Sequence, residues 1–253
     1  MFYSKELKKY KKIKHCFFSR NNGFSRGVYK SLNCSKGSKD NSKDVIKNLK
    51  FVSRQMNSNF NNLILMNQSH SNKVIIIGRK NLNKKKFNSD ALVTDVKNIT
   101  IGVLTADCVP IILFDEINDM VGCVHAGWKG AISGIIENTV NVFKKKNKKN
   151  SIIASIGPCI GKKNYEVKIN FYKKFIKESK SNNKFFSKIK KDRFFFDIRG
   201  YVANKLRLCG VSKIDNINYD TFKESDKFYS YRRSIKLQES DYGRCISTIS
   251  LKT

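Results

Sequence analysis

Three closely spaced apolar runs constrain the fold of this chain more than any other feature. They cover residues 99–106, 109–114 and 120–126 and are rich in Val, Ile and Leu. Their length and their β-branched residues predict consecutive buried strands. A helical pattern over residues 127–146 follows at once, with Gly residues at its start and apolar residues along one face. A sheet followed by a packed helix indicates an α/β fold.

The rest of the chain also mixes the two patterns. Helices are predicted at 41–56, 169–180 and 197–209, and strands at 62–67, 73–78, 151–156 and 245–251. Lysine-rich runs at 84–86 and 144–149 are predicted to be solvated loops or helix ends. No Pro/Ser-rich linker and no change of composition divides the chain. We therefore expect a single α/β (α+β) domain over residues 1–253.

The charge balance is strongly basic, with 51 Lys and Arg residues against 20 Asp and Glu residues and a formal net charge of +31. Of the basic residues, 41 are Lys and only 10 are Arg. Arg is the better bidentate ligand for phosphates and bases, so nucleic-acid surfaces usually contain more of it. The Lys excess, spread along the chain with many Asn residues, is typical of an AT-rich genome. We expect no nucleic-acid partner, although the surface favours phosphate and other anions.

The cysteines and the N-terminus indicate the cellular compartment. Seven cysteines, an odd number without a C-x-x-C pair, are typical of a reducing environment. The first 20 residues are basic but lack the apolar core of a secretory signal. The apolar runs are also much shorter than the ~18 residues that a membrane span requires. We expect a cytoplasmic protein that acts as a monomer and has no membrane partner.

Only three histidines occur in the chain. His15 lies in the basic N-terminal stretch, where we expect no functional role. His70 lies in a polar segment between two predicted strands, and His125 lies where an apolar strand ends in a glycine-flanked turn. Cys108 directly follows another apolar strand. Strand ends beside turns are where α/β scaffolds commonly present functional side chains.

Two imidazoles and one thiolate match the ligand set of a catalytic zinc, which leaves a fourth position for water or substrate. Zinc in such a site lowers the pKa of a water ligand to about 7. The spacing is not diagnostic, because 38 and 17 residues separate positions 70, 108 and 125. Three interpretations stay open at this point: a metal centre, a Cys–His nucleophile pair, and side chains with a purely structural role.

A series of short motifs occurs in a fixed order along the chain: Phe18-Ser-Arg20, Ser31-Leu-Asn33, Ser89-Asp-Ala-Leu-Val-Thr94, Thr105-Ala-Asp-Cys-Val-Pro-Ile111, His125-Ala-Gly-Trp-Lys-Gly130, Ile156-Gly-Pro-Cys-Ile-Gly161, Tyr165-Glu-Val167 and Phe228-Tyr-Ser-Tyr-Arg-Arg233. Together they resemble the YfiH-like, laccase-domain purine nucleoside phosphorylase family, formerly called multicopper polyphenol oxidases. The similarity covers about residues 15–251. It implies a single domain with four layers in the order α/β/β/α. It also implies a zinc ion bound by His70, Cys108 and His125.

The resemblance further implies an activity on purine nucleosides. Members of the family cleave adenosine, inosine, guanosine and methylthioadenosine with phosphate, and they deaminate adenosine. Asp107 completes the expected catalytic set with the three metal ligands, either as a proton carrier or as a group that orients a ligand. Glu166 is a second candidate proton carrier and a candidate substrate-binding residue.

Further side chains in the motifs are candidates for binding purine nucleosides and phosphate. The polar and cationic candidates are Asn33, Arg20, Lys129, Arg232 and Arg233. Aromatic rings that could stack on a purine are those of Trp128, Tyr165, Tyr229 and Tyr231.

Composition and site chemistry argue against one function and leave several alternatives open. Multicopper oxidases need roughly ten histidine ligands, since copper sites are built mainly on imidazole. Three histidines therefore argue against polyphenol oxidase activity, although copper could bind adventitiously. A Cys–His hydrolase or deamidase and an enzyme that edits cell-wall (peptidoglycan) precursors remain as alternatives. A nucleic-acid-binding module would depend on the charge alone.

Overall fold

Two β-sheets packed face to face form the centre of the computed structural model, which describes residues 1–82, 87–147 and 149–253. The strands are β1 (Ile13–Phe17), β2 (Leu63–Leu65), β3 (Val74–Ile77), β4 (Ala91–Thr94), β5 (Thr100–Thr105), β6 (Val109–Asp115), β7 (Met120–Ala126), β8 (Ile152–Ile156), β9 (Glu166–Lys168), β10 (Phe186–Lys190), β11 (Arg193–Phe196), β12 (Lys213–Asn216) and β13 (Cys245–Leu251). The α-helices are α1 (Ser42–Gln55), α2 (Trp128–Ile132), α3 (Ile135–Lys146), α4 (Ile169–Glu178), α5 (Ile198–Leu208) and α6 (Tyr231–Lys236).

The two central sheets differ in size and in strand direction. The four-stranded sheet has the order β1-β13-β5-β2, and only β2 runs parallel to its neighbour. The six-stranded sheet has the order β12-β8-β6-β7-β4-β3, with parallel pairs at both edges. A third, antiparallel sheet, β10-β11-β9, lies beside them with α4. Antiparallel pairs thus form the centre of both large sheets.

Alternation of side chains along the strands creates three apolar layers. Between the two large sheets pack residues such as Val103, Ile112 and Cys123. On the outer face of the four-stranded sheet, α1 packs through Leu49 and neighbouring apolar residues. On the outer face of the six-stranded sheet lie α3 and α5, with Phe143 and other apolar residues. This is the four-layer α/β/β/α arrangement that the resemblance implied, so the expected fold class is confirmed.

Most predicted elements occur where the patterns placed them. Helices α1, α4 and α5 correspond to 41–56, 169–180 and 197–209, and the strand at 245–251 matches β13. The prediction of one continuous helix over 127–146 is wrong. Gly134, at φ +93°, interrupts it between α2 and α3, because a left-handed residue cannot continue a right-handed helix.

Several short elements escaped prediction. These are β1, β4, β9 to β12 and α6, which are three to six residues long and show too little periodicity to be recognised. The lysine-rich run at 84–86 lies outside the described residues, and so does residue 148 of the other run; residues 144–146 form the last turn of α3. Within the described ranges no helix is both long and apolar enough to cross a membrane.

Candidate metal centre

The three predicted ligands come together at one end of the two central sheets. His70 lies in the loop between β2 and β3, Cys108 in the turn between β5 and β6, and His125 near the end of β7. Their ligand atoms all lie within 4.8 Å of one another. Sγ of Cys108 is 3.7 Å from Nε2 of His70. The sheet topology thus brings together three residues that are 38 and 17 positions apart along the chain.

Asp90 lies directly before β4 and connects both histidines. In the sequence it was noted only as part of a motif and not as a site residue. Its fully buried carboxylate accepts a hydrogen bond from the backbone N–H of His70 at 2.9 Å, and from the backbone N–H and hydroxyl of Ser71 at 2.7 Å each. His70 itself has φ +60°. The carboxylate therefore holds a loop in a conformation that non-glycine residues rarely adopt.

The same carboxylate orients the second imidazole. Oδ1 of Asp90 lies 2.8 Å from Nδ1 of His125, whose backbone N–H also donates to the Asp90 carbonyl at 2.7 Å. With Nδ1–H donated to the carboxylate, the lone pair of Nε2 faces Cys108 and His70. This carboxylate–histidine arrangement is the usual support of a metal-bound imidazole. The signal that could have identified Asp90 is a charged residue placed directly before a strongly apolar strand.

The electrostatics of the cluster favour a thiolate. Burial would raise the pKa of Cys108, but the two imidazoles outweigh it and lower that pKa to about 6. Burial would lower the pKa of His125, yet Cys108 and Asp90 together raise it to about 9. Burial acts to raise the pKa of Asp90, and the hydrogen bonds from His125 and Ser71 hold it below its usual range. Deprotonated cysteine is the form that binds metals and acts as a nucleophile.

The Cys108–His70 distance and the space beside it fit two ligands of a tetrahedral metal ion. With Zn–S near 2.3 Å and Zn–N near 2.0–2.1 Å, two such ligands stand about 3.6 Å apart, close to the observed 3.7 Å. Gly127 leaves room for them, since a Cβ there would lie 2.5 Å from Cδ2 of His70 and 3.1 Å from Sγ of Cys108. Among the described residues this is the one His/Cys/Asp/Glu group with metal-binding geometry.

Two cavities meet at the cluster. The larger cavity has a volume of about 890 Å³ and the smaller cavity about 360 Å³. His70, Ala106, Cys108 and Tyr231 line both of them. The larger cavity also includes Met66, Gln68, Leu104, Tyr242 and Arg244. The smaller cavity also includes Trp128, Tyr165, Glu166, Lys168, Phe171 and Arg232.

Asp107 lies beside the cluster, but its carboxylate is engaged elsewhere. It is buried and accepts hydrogen bonds from the hydroxyls of Thr221 at 2.7 Å and Ser230 at 2.9 Å, and from the Arg232 backbone N–H at 2.7 Å. Burial raises the pKa of Asp107. These bonds attach the start of α6 to the Cys108 turn.

Glu166 occupies a different environment on β9. Its side chain is exposed and pairs with Arg193 at 2.8 Å, while its backbone carbonyl accepts from Arg232 at 3.0 Å. It lines the smaller cavity. Lys129 is exposed, with its ammonium 5.7 Å from the centre of the Trp128 ring.

Arg20 and Arg233 lie away from both cavities. They line a separate cavity of about 240 Å³ together with Tyr229. Arg20 donates to the carbonyls of residues 28, 30 and 225, and Arg233 donates to those of residues 221, 222 and 228. Both guanidiniums therefore connect loops by binding their backbone.

Asn33 and His15 are buried in hydrogen-bond networks of their own. The Asn33 side-chain amide donates to Ser38 and Asp40 and accepts from the backbone N–H groups of residues 35 and 244. Nε2 of His15 accepts the Ser4 backbone N–H at 2.9 Å. Of the four predicted stacking rings, Trp128, Tyr165 and Tyr231 line the smaller cavity and Tyr229 does not.

Comparison with known proteins identifies relatives over most of the chain. A purine nucleoside phosphorylase of Rickettsia conorii is 34% identical over 213 residues, covering 84% of this chain and 87% of that protein. Purine nucleoside phosphorylase YfiH of Escherichia coli is 28% identical over 226 residues, covering 88% and 89%. The crystal structure of the hypothetical protein YfiH from Bacillus licheniformis has a TM-score of 0.88 at 26% identity, covering 95% of this chain and 93% of that one.

The family comparison agrees with these relatives. The family described as multi-copper polyphenol oxidoreductase laccase matches residues 14–252, almost the range over which the motifs indicated similarity. The fold, the His/Cys/His cluster and the named relatives are all consistent with that match. The chain belongs to this YfiH-like, laccase-domain family.

Proposed function

We propose that this protein is a metal-dependent purine nucleoside phosphorylase. The observation that carries the proposal is the His70/Cys108/His125 cluster at the junction of two cavities, one of them lined by Trp128 and Tyr165. Flat apolar surfaces next to a polar centre suit a purine base. The names of the Rickettsia conorii and Escherichia coli relatives support the same activity.

We propose zinc as the metal, held by the three clustered side chains. One thiolate and two imidazoles form a donor set typical of catalytic zinc; copper could occupy it adventitiously. A bound zinc ion supplies Lewis acidity and makes a water molecule acidic near neutral pH. The protein's part is to orient both imidazoles through Asp90 and to keep Cys108 deprotonated.

The proposed substrates are adenosine, inosine, guanosine and methylthioadenosine with inorganic phosphate, and the proposed side activity is deamination of adenosine. Both reactions require a proton at the purine, either on the departing base or on the departing amine. Both candidate carriers line the smaller cavity: Asp107 accepts three hydrogen bonds inside the protein, and the exposed Glu166 pairs with Arg193. We further propose that the protein acts as a monomer in the cytoplasm.

The test is metal analysis of the purified protein followed by a panel of purine nucleosides with and without phosphate. We expect about one zinc per chain, phosphate-dependent release of free base, and formation of inosine from adenosine. Cys108→Ala should lose both zinc and activity. Full activity and stoichiometric zinc in that variant would overturn the proposal.

A Cys–His hydrolase or deamidase is the second candidate, because the pKa of Cys108 is lowered to about 6 beside two imidazoles. It requires a free thiolate. Under this alternative, iodoacetamide should alkylate Cys108 and abolish activity equally in the presence and absence of zinc. Protection of Cys108 by zinc would favour the phosphorylase.

A further inference from the structure

The mouth of the smaller cavity carries an excess of positive charge. Arg232 and Lys168 line the cavity, and the ammonium groups of Lys129 and Lys174 lie 5.7 Å and 5.3 Å from the ring centre of Trp128, which also lines it. Over the described ranges, none of these four cations has a carboxylate oxygen within 4.0 Å. Several cations around one cavity attract an anion.

The two carboxylates of the same cavity offset only part of this charge. The Asp107 oxygens accept hydrogen bonds from the neutral hydroxyls of Thr221 and Ser230 and from the Arg232 backbone N–H. Glu166 pairs with a further cation, Arg193. With at most the one negative charge of Asp107 against four cations, the described residues leave a positive balance at the mouth.

Arg232 is held in place at the wall of the smaller cavity. Its backbone N–H is bound by Asp107, its guanidinium donates one N–H to the Glu166 carbonyl, and its Cζ lies 5.5 Å from the centre of the Tyr165 ring. Among the described residues the guanidinium donates no other hydrogen bond, which leaves most of its five N–H donors for a ligand. By contrast, both Arg20 and Arg233 donate at least three hydrogen bonds to backbone carbonyls.

We propose that Arg232 and Lys168, supported by Lys129 and Lys174, form a phosphate-binding subsite at the mouth of the smaller cavity. The ligand is a phosphate oxyanion, either inorganic phosphate or a phosphate group carried by a purine nucleoside. The assignment deepens the proposed phosphorylase function and rests on it for the identity of the base. Arg232 and Lys168 would hold the phosphate beside the aromatic walls that we assign to the purine.

The chain offers a built-in reporter for the test. Trp128 is its only tryptophan and lines the smaller cavity, and its ring centre lies 4.9 Å from that of Phe171. Zinc-loaded protein is titrated with inorganic phosphate, adenosine 5′-monophosphate and adenosine at constant ionic strength, with sulfate as a control for unspecific anion binding. Constant ionic strength matters because a net charge of +31 attracts any anion.

We expect a saturable change of Trp128 fluorescence, with a Kd that rises about tenfold in Arg232→Gln and in Lys168→Gln, as for loss of a charge-assisted hydrogen bond. The matched control is Lys177→Gln, an exposed lysine in the last turn of α4, roughly 13 Å along the helix from Lys168. Its Kd should not change. Arg232→Lys should restore part of the affinity, because the charge remains and the planar fork is lost.

The three titrations distinguish the source of the phosphate. Saturation by inorganic phosphate, with a raised KM for phosphate in the variants, identifies the co-substrate. Saturation by adenosine 5′-monophosphate without a response to inorganic phosphate identifies a nucleotide.

Two results would overturn the subsite. The first is that neither inorganic phosphate nor adenosine 5′-monophosphate gives a saturable response. The second is that phosphate affinity falls tenfold in Arg244→Gln, a variant of the larger cavity, and stays unchanged in Arg232→Gln and Lys168→Gln. Phosphate binding that depends on Arg232, in a protein that cleaves no nucleoside, would reject the proposed function and leave the subsite standing.

Discussion

Oδ1 of Asp90 lies 2.8 Å from Nδ1 of His125, and both side chains are buried. The same oxygen accepts the backbone N–H of His70 at 2.9 Å. One carboxylate thus orients two of the three candidate metal ligands, which are 55 positions apart in the sequence. The geometry of the centre depends on a residue that does not itself reach the metal position.

Replacing Asp90 should therefore weaken metal binding without removing a ligand. We expect Asp90→Asn to reduce zinc affinity by 10- to 100-fold, the usual effect of losing such a supporting group. Competition with a chromophoric chelator measures it. The control is Asp119→Asn, an exposed carboxylate paired with Lys12. Equal zinc affinity in Asp90→Asn and the native protein would contradict the role assigned to this carboxylate.

Gly127 provides a steric test of the same centre. A methyl group at this position would lie 2.5 Å from Cδ2 of His70, so Gly127→Ala should displace that ring and lower zinc affinity at least tenfold. The backbone of Gly127, at φ −71°, tolerates alanine. Gly78→Ala is the matched control, because a Cβ there meets no atom within 4 Å. Retention of native affinity in Gly127→Ala would show that the ligand loop is not confined as described.

His15 should make stability depend on pH. Burial and the nearby Lys8 lower its pKa to about 4 against a usual value of 6.5. Below pH 6.5 the unfolded chain binds a proton that the native imidazole still excludes, so this contribution to stability is full above pH 6.5 and is lost as the pH falls. At pH 5 the loss amounts to about 2 kcal/mol.

His15→Gln keeps an acceptor for the Ser4 N–H and removes this titration. Urea unfolding at pH 7.5 and pH 5 measures the effect. The free energy of unfolding should fall by about 2 kcal/mol less in the variant than in the native protein. An identical pH dependence in both proteins would refute the assignment.

The packed rings of Phe171, Phe175, Phe186 and Phe196 form an aromatic cluster beside the smaller cavity, and we expect it to contribute strongly to the free energy of unfolding. Phe196 is fully buried, and its ring centre lies 4.7 Å from those of Phe175 and Phe186. Phe196→Ala should reduce the free energy of unfolding by about 3–5 kcal/mol, as expected for truncating a buried ring. Phe24→Ala, at 45% exposure, is the comparison and should cost much less. Similar losses in the two variants would argue against a packed cluster.

Local sequence patterns predicted the centre of the fold well. β6 and β7 are largely apolar runs that are buried along their whole length, so composition alone reveals them. The third, small sheet was not predicted, because its strands of three to five residues alternate too little. Its strand β9 nevertheless contributes Glu166, Val167 and Lys168 to the lining of the smaller cavity.

Arg232 and Arg233 show the limit of sequence reasoning at the site. They are adjacent in one motif, and both were candidates for binding phosphate. On α6 they point in directions about 100° apart. Arg232 faces the smaller cavity, whereas Arg233 binds the carbonyls of a loop. Only the position of α6 against the sheets decides between them.

By itself, the sequence determined the α/β class through its apolar periodicity, and its short motifs indicated the family and, through that resemblance, the three residues that could hold a metal; periodicity and motifs are both local properties of the chain. The tertiary structure alone decided that Asp90 joins the two imidazoles and that Asp107 accepts three hydrogen bonds inside the protein. It alone showed that, among the described residues, no carboxylate pairs with Arg232 or Lys168. These relationships join residues distant in sequence, and they arise only when the packed sheets bring the loops at one end together.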